Sequence, residues 1–158
     1  MSEGEVDHRV DELLDTVELP SSFSSRFPRE LSGGERQRIN LARSLTAEPK
    51  LMICDEITSA LDTIVAEAIL KLLRDLQERL KIAYVFISHD LSTISKVADT
   101  IAVMRDGKIV EYGSTVEILT PPHHNYTELL LSSVPELRTD WLDGIEAQRT
   151  TARTAAAG

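Results

Sequence analysis

Apolar residues recur at helical spacing along two long stretches of the chain. The first stretch, residues 5–18, places its apolar residues on one helical face, and its acidic residues fall on the other face or in the leading tail. The second stretch, Ile64–Leu80, has the longest apolar stripe and predicts the longest helix. The two stripes consist of Val6, Val10, Leu13, Leu14 and Val17, and of Val65, Ala68, Ile69, Leu72, Leu73, Leu76 and Leu80.

Two short apolar runs flank the second of these helices. Leu51–Cys54 has four consecutive apolar residues, which is typical of a strand buried on both faces. Ala83–Ile87 is rich in β-branched and aromatic residues and predicts a second buried strand. A strand, a long helix and another strand form a βαβ unit with parallel strands and a right-handed crossover. The pattern therefore predicts an α/β fold.

The rest of the chain predicts shorter elements and the breaks between them. Pro20 ends the first helix, and a serine-rich loop follows it. Asp106-Gly107 lies between two apolar runs and is a strong signal for a β-hairpin. Pro121-Pro122 breaks the following helical pattern, and the absence of an apolar period from Arg149 onward predicts a disordered tail. Further helices are predicted at about 35–47, 92–98, 115–119 and 126–131, and hairpin strands at 101–104 and 108–112.

Composition narrows the class of protein. The 158 residues are 42% hydrophobic and 27% charged, a balance typical of a globular domain with its own core. The net charge of -9 argues against a protein that coats nucleic acid. No apolar run is long enough to span a membrane, and the acidic start is unlike a signal or transit peptide. The single cysteine, Cys54, excludes an internal disulfide and a multi-cysteine zinc site.

Residues 32–35 form the first candidate site. Ser32 and Glu35 have the spacing of a capping box, which by itself marks only the start of a helix. Gly33 and Gly34 inside the box leave backbone N–H groups uncovered at the positive end of the helix, where an anion can approach closely. From the residues alone, an ordinary glycine-rich cap and a phosphate-binding loop are both open.

Acidic residues and a histidine follow the two predicted strands. Asp55 and Glu56 come directly after the first strand, where they are either solvated acids or a Mg²⁺ ligand and a base, one of them with a raised pKa. His89 follows the second strand and lies near this pair if the strands are neighbours. It is either a loop residue or a group that contacts a phosphate or a water. Asp62 is a candidate N-cap, and the adjacent His123-His124 pair is interpreted as surface loop rather than a metal site.

Four segments occur in an order typical of one protein family. They are Leu-Ser-Gly-Gly-Glu-Arg-Gln-Arg from Leu31, Leu-Met-Ile-Cys-Asp-Glu from Leu51, Ser-Ala-Leu-Asp from Ser59 and Ile-Ser-His-Asp from Ile87. Together they closely resemble the ATP-binding cassette (ABC) ATPases, over nearly all of residues 5–148. The resemblance implies the C-terminal portion of a P-loop NTPase-like cassette, with part of a helical subdomain, the parallel βαβ unit, and a C-terminal hairpin and helices.

The resemblance also implies roles at a nucleotide shared by two cassettes. Ser32, Gly33 and Gly34, with Glu35, match the signature loop, which binds the γ-phosphate of ATP held by the opposite cassette of a dimer. Asp62 matches the D-loop aspartate at the dimer interface. The implied cofactors are ATP and Mg²⁺.

Three further matches imply the chemistry of hydrolysis. Asp55 matches the Walker B aspartate, which supports Mg²⁺, and Glu56 matches the catalytic glutamate, the general base for the attacking water. His89 matches the switch histidine, which contacts the γ-phosphate. These roles agree with the physics of phosphoryl transfer, which relies on positioning and charge stabilisation.

The C-terminal segment narrows the resemblance to one subgroup. Residues 121–130, with Val134-Pro135 after them, look like the tails of ATPase subunits of oligopeptide/dipeptide importers. The implied function is ATP hydrolysis that energises peptide uptake. The implied partners are a second cassette, membrane permease subunits and, indirectly, a substrate-binding protein, but no nucleic acid. Such a subunit lies peripherally on the cytoplasmic face of the inner or plasma membrane.

One family motif is missing from the sequence. The P-loop pattern G-x-x-x-x-G-K-[ST] occurs nowhere, since the only Gly-Lys pair, Gly107-Lys108, belongs to the predicted hairpin turn. No glutamine precedes Leu31 to form the family's Q-loop. The chain is therefore divided into part of a helical subdomain (1–48), part of the catalytic α/β core (49–120), an importer-type extension (121–148) and a tail (149–158).

The missing motif leaves alternatives to a fragment of an importer ATPase. The chain could be an ABC ATPase that serves no transporter, or a non-catalytic module that only lends its signature loop in trans. Without the P-loop strand and its neighbours, the strands at 51–55 and 83–88 would expose edges and apolar faces. We therefore expect the isolated chain to bind ATP poorly and to aggregate or need a partner.

Overall fold

The computed structural model describes residues 2–132. The chain divides after His89 into two compact units, Met1–His89 and Asp90–Gly158. No helix within residues 2–132 has the length and apolar character needed to cross a lipid bilayer. The predicted tail at 149–158 and the Val134-Pro135 pair lie outside the described residues.

The first unit begins with a helical segment. α1 starts earlier than its apolar stripe predicts because Ser2 caps it. The Oγ atom of Ser2 accepts a hydrogen bond from the backbone N–H of Glu5 at 3.4 Å. The serine-rich loop after Pro20 contains two short 3₁₀ turns, and the first of them buries Phe23. The bounds are Glu3–Thr16 for α1, Ser21–Ser25 and Pro28–Glu30 for the turns, and Gly33–Leu45 for α2.

The predicted βαβ unit is confirmed. β1 (Leu51–Asp55) and β2 (Ala83–Ile87) pair in parallel, with Ile53 opposite Val85, and α3 (Thr63–Leu80) connects them. Asp62 caps α3 as predicted. The buried face of α3 is its apolar stripe, and the most buried residues of that stripe are Ile69, Leu72, Leu73 and Leu76.

The prediction that both strands are buried on both faces is wrong for the described residues. Met52 and Cys54 are buried on one face of β1, whereas the other face exposes apolar side chains. Successive strand residues point to opposite faces, so the four exposed residues share one side of the pair. Their exposed fractions are 54% for Leu51, 65% for Ile53, 45% for Val85 and 50% for Ile87. We call these four residues the open strand face.

The second unit contains the predicted hairpin. β3 (Thr100–Arg105) and β4 (Lys108–Ser114) pair antiparallel around Asp106 and Gly107. Both turn residues have positive φ, 51° and 75°, as a two-residue hairpin turn requires. Helices α4 (Leu91–Val97), α5 (Thr115–Leu119) and α6 (Asn125–Ser132) complete the described part of this unit. Its core consists of Leu91, Ile101, Val103 and Ile118.

The histidine pair between α5 and α6 agrees only in part with its interpretation as surface loop, because His124 is exposed and His123 is not. The imidazole of His123 is only 4% exposed, and its Nε2 lies 3.9 Å from a carboxylate oxygen of Glu128. The neighbouring His124 accepts from the backbone N–H of Tyr126 through Nδ1, at 3.1 Å. His123 is therefore a packing residue of the second unit, which its sequence position did not reveal.

Candidate functional site

The candidate site lies at the carboxyl ends of β1 and β2 in the first unit. The parallel pairing places Asp55 opposite Ile87, so the residues that follow each strand emerge at the same edge. Glu56 is the first residue beyond β1, and His89 comes two residues after the end of β2. The predicted proximity of His89 to the acidic pair is confirmed by a direct contact, in which His89 Nδ1 lies 2.8 Å from Glu56 Oε1.

The backbone of Glu56 is held in an uncommon conformation. Its φ is 49°, in the left-handed region that residues other than glycine seldom adopt. Its backbone N–H donates to the carbonyl oxygen of Ile87 at 2.9 Å, which extends the strand ladder by one bond. The Ser59 hydroxyl donates to the carbonyl oxygen of Glu56 at 3.0 Å. The bonds on both sides of Glu56 fix the direction in which its side chain leaves the sheet.

The hydrogen bond with His89 sets the protonation of Glu56. That bond is the largest of the influences that hold the pKa of Glu56 below its ordinary value. The sequence predicted a raised pKa for one of the two adjacent acids, and for Glu56 the structure gives the opposite direction. Glu56 is therefore an ionised carboxylate at neutral pH, able to accept a proton, and His89 is its partner across the strand ends.

Residues 32–35 form a complete capping box at the start of α2. The backbone N–H of Ser32 donates to Glu35 Oε2 at 2.6 Å, and Ser32 Oγ accepts from the backbone N–H of Glu35 at 3.3 Å. The donation from the Ser32 backbone is the main reason that the pKa of Glu35 is lowered. Glu35 therefore remains ionised and keeps the turn closed, while Gly33 and Gly34 add no side chains to it.

The turn that carries Asp62 lies against this loop. Asp62 Oδ1 accepts from the backbone N–H of Val65 at 3.0 Å and caps α3. Leu61 and Val65, on either side of Asp62, are the nearest side chains to Gly33 and Gly34. The structure thus brings the predicted residues together as two groups, Glu56 with His89 and the 32–35 loop with the Asp62 turn.

Two family models match this sequence, one at each end. Residues 1–59 match the model described as ABC transporter, and residues 110–158 match the model described as oligopeptide/dipeptide transporter, C-terminal region. The first match contains the capping-box loop and the Asp55-Glu56 pair. The chain belongs to the ABC ATPase family.

Curated relatives agree with both models. The chain is 46% identical over 134 residues to the oligopeptide transport ATP-binding protein AppF of Bacillus subtilis, a match that covers 85% of this chain and 41% of the relative. It is 47% identical over 130 residues to the oligopeptide transport ATP-binding protein OppF of Streptococcus mutans, covering 82% of this chain and 42% of the relative. The chain therefore spans about two fifths of the length of these relatives.

Solved ABC structures share the fold. A dimeric ATP-binding cassette in a post-hydrolysis state, bound to ADP and Pi, matches with a TM-score of 0.63 and 32% identity, over 73% of this chain and 49% of that chain. An inward-facing putative metal-chelate type ABC transporter matches with a TM-score of 0.72 and 29% identity, over 85% and 51% of the two chains. These likenesses confirm the predicted ABC-type α/β fold.

The residues of this ABC chain fit part of a Mg²⁺ and nucleotide site. Among residues 2–132, no group of three or more His, Cys, Asp or Glu side chains could hold a metal ion without further ligands. Mg²⁺ is commonly held by one or two carboxylates together with phosphate oxygens and water, so a lone Asp55 is compatible with it. Asp55 also borders a cleft of about 170 Å³ between α2 and β1, beside Gln37 and Asn40.

Sequence reasoning missed several groups that shape the site. The Ser59 hydroxyl and the Ile87 carbonyl hold the backbone of Glu56, and neither had a local sequence signal. Arg38 of α2 donates through Nη1 to the carbonyl oxygen of Val17 at 2.8 Å and to Glu18 Oε2 at 2.7 Å. These bonds join the helix that follows the 32–35 loop to the end of α1, a contact that only the tertiary structure reveals.

Proposed function

We propose that this chain contributes to the ATP-hydrolysing subunit of an ABC importer that takes up peptides. The observation that carries the proposal is its similarity, over more than four fifths of its length, to several ATP-binding proteins named for oligopeptide or dipeptide transport. The match of residues 110–158 to an oligopeptide/dipeptide transporter model supports the same substrate class. That match argues against an ABC ATPase that serves no transporter.

The proposed chemistry centres on Glu56. Its ionised carboxylate accepts a proton from the attacking water as the general base. His89 is bonded to Glu56 through Nδ1, so the proposed contact with the γ-phosphate uses Nε2, which donates when the imidazole is protonated. Asp55 would hold Mg²⁺, which supplies charge neutralisation at the phosphates when it is bound.

The proposed role of the 32–35 loop is to contact nucleotide that is bound to a second cassette. Its capping box lies at the start of α2, where the first backbone N–H groups form the positive end of the helix and favour a phosphate. In the proposed dimer, Ser32 and the two glycines contact the γ-phosphate of ATP that is held by the opposite cassette. Asp62 lies beside them at the proposed interface between the cassettes.

The proposed assembly extends beyond two cassettes. Membrane permease subunits are the direct partners and a substrate-binding protein is an indirect one, with the ATPase placed peripherally at the cytoplasmic face. No nucleic acid takes part in this proposal. The peptide class is a property of the whole importer rather than of the residues described here.

A chimera tests the function directly. The matching segment of the Bacillus subtilis relative is replaced by the corresponding residues of this chain, and peptide uptake is measured in a strain that lacks the native gene. We expect uptake to be restored. We also expect Glu56→Gln in the chimera to abolish ATP hydrolysis while ATP binding remains, because Gln cannot accept the proton. The exposed Glu78→Gln on α3 is the matched control and should leave both unchanged. Hydrolysis that survives Glu56→Gln would contradict the role of Glu56.

A second candidate is a module that only lends its loop in trans. The observation that supports it is the fully formed 32–35 capping box. This candidate predicts that adding the chain to an intact peptide-importer cassette raises phosphate release. Ser32→Arg should then remove the stimulation, and Glu56→Gln should leave it intact. No stimulation by the unmodified chain would exclude this second candidate.

A further inference from the structure

Two helices of the first unit begin with the same local motif. Residues 2–5 and residues 32–35 each place a serine at the N-cap and a glutamate three residues later, and both capping boxes are closed. In both, a glycine occupies the second helical position, Gly4 in α1 and Gly34 in α2. The first helical position holds Glu3 in α1, so this kind of box accepts a side chain there.

The surroundings of the two glycines differ. A Cβ atom added to Gly4 would meet nothing within 4 Å. A Cβ atom added to Gly34 would lie 2.6 Å from Val65 Cγ1, and one added to Gly33 would lie 3.2 Å from Leu61 Cδ2. Carbon atoms in contact normally lie about 3.5–4.0 Å apart, so a side chain at residue 34 requires movement of its neighbour.

Val65 is poorly placed to move. It is β-branched and sits in the first turn of α3, where such side chains have one strongly preferred χ1 rotamer. Its backbone N–H is held by the Asp62 cap at 3.0 Å. Relief of the contact would therefore shift the whole start of α3 or the loop at 32–35.

We propose that Val65 is a positioning residue for the 32–35 loop, and that Gly34 is a glycine because the first turn of α3 packs against it. The loop and the Asp62 turn then move as one body. A displacement of Asp62 would displace the N–H groups at the start of α2 by a similar amount. This inference deepens the proposed function, because it rests on that loop being the one that contacts nucleotide.

Thermal unfolding tests the packing. Gly34→Ala should lower Tm by about 4 °C, because overpacking outweighs the gain in helix propensity. The matched control Gly4→Ala, at the same position of the same motif, should leave Tm unchanged or raise it. Val65→Ala should lower the Tm of the unmodified chain but raise the Tm of Gly34→Ala. If Val65→Ala lowers Tm in both backgrounds, or if the two glycine substitutions behave alike, the packing proposal is wrong.

A second readout separates positioning from stability alone. Amide resonances of residues 33 and 34 are followed in ¹⁵N spectra of the full chain mixed with an intact, unlabelled peptide-importer cassette, as ATP and Mg²⁺ are added to millimolar concentrations. We expect ATP to shift these resonances, Gly34→Ala to weaken the response about tenfold, and the double variant with Val65→Ala to restore it. Recovery of Tm without recovery of the ATP response would overturn the positioning role, since the glycine would then serve close approach of the ligand itself. If ATP shifts no resonance in the unmodified chain, the proposed trans contact fails, and the Tm comparison still decides the packing.

Discussion

The open strand face predicts that the isolated chain associates with itself and that a single charge on this face prevents it. Parallel strands in proteins are normally covered on both faces, whereas β1 and β2 expose Leu51, Ile53, Val85 and Ile87. Ile53→Lys places a charge at the most exposed of these residues. Because 65% of Ile53 is already exposed, its replacement removes little packing within the unit.

The exposures give the size of the effect. Fully burying a large aliphatic side chain contributes about 2 kcal/mol, so the four half-exposed residues leave about 4 kcal/mol that association could gain. Ile53 accounts for about 1.3 kcal/mol of this amount, which corresponds to about tenfold in an association constant. In a symmetric dimer both copies carry the substitution, so Ile53→Lys should weaken dimerisation about 100-fold.

Sedimentation velocity across a concentration series measures this change. A matched control comes from α3, where Ile64 is 82% exposed but lies outside the open strand face. Ile64→Lys removes the same side chain and adds the same charge, and it should leave the association constant unchanged. Thermal unfolding of both variants verifies that neither has lost its fold.

Equal effects of the two substitutions would refute the reasoning, because association would then follow general surface hydrophobicity. A strictly monomeric unmodified chain would refute it as well. A large loss of Tm in Ile53→Lys would show that the face is packed in solution.

Three further predictions follow from individual residues of the first unit. His89→Ala removes the main group that lowers the pKa of Glu56, so this pKa should rise toward its ordinary value in a ¹³C NMR titration. The stability that Glu56 contributes through the pair is present above its unfolded pKa and is lost as the pH falls through the lowered folded pKa. The loss at acidic pH should therefore disappear in His89→Ala. Leu76 is fully buried in α3, so Leu76→Ala should cost about 3 kcal/mol and lower Tm by about 9 °C. Burial raises the pKa of the Cys54 thiol to about 11, so iodoacetamide at pH 8 should leave the folded chain unmodified and modify Cys54 once denaturant unfolds it.

Each of these predictions has a control that can contradict it. An unchanged pKa of Glu56 in His89→Ala would show that the 2.8 Å contact does not govern its titration. Leu80→Ala, at the half-exposed end of the same stripe, should cost far less than Leu76→Ala, and equal costs would contradict the burial argument. Rapid modification of Cys54 without denaturant would show that the exposed side of β1 gives reagents access to the buried side.

Local and periodic signals in the sequence predicted most of the fold. Asp62 could be identified as an N-cap because capping depends on residues only three apart. Asp106-Gly107 could be identified as a hairpin turn because such a turn needs two residues that accept positive φ. The parallel pairing followed from the length of α3 between two apolar runs. The apolar runs by themselves predicted strands buried on both faces, because local sequence does not specify what lies opposite Ile53. The missing P-loop strand predicted exposed apolar faces instead, and the exposure of Ile53 agrees with that prediction.

The candidate site was predicted in part. The proximity of Glu56 and His89 followed from strand order, but the direction of the pKa change did not, because it depends on which oxygen and nitrogen meet. The close approach of Val65 to Gly34 joins residues 31 positions apart, and no spacing rule predicts it. The same holds for Arg38 and the carbonyl oxygen of Val17. The short motifs themselves could be identified from the sequence, but the contacts that position them could not.

The left-handed backbone at Glu56 opposes stability to the proposed chemistry at a single residue. At φ 49°, glycine is the residue with the lowest conformational strain, so random substitution followed by selection for thermal stability alone should favour replacement of the carboxylate. Selection for hydrolysis would act in the opposite direction. If glutamate persists at residue 56 during long laboratory evolution, selection is maintaining its carboxylate. If glycine replaces it, the carboxylate is no longer under selection.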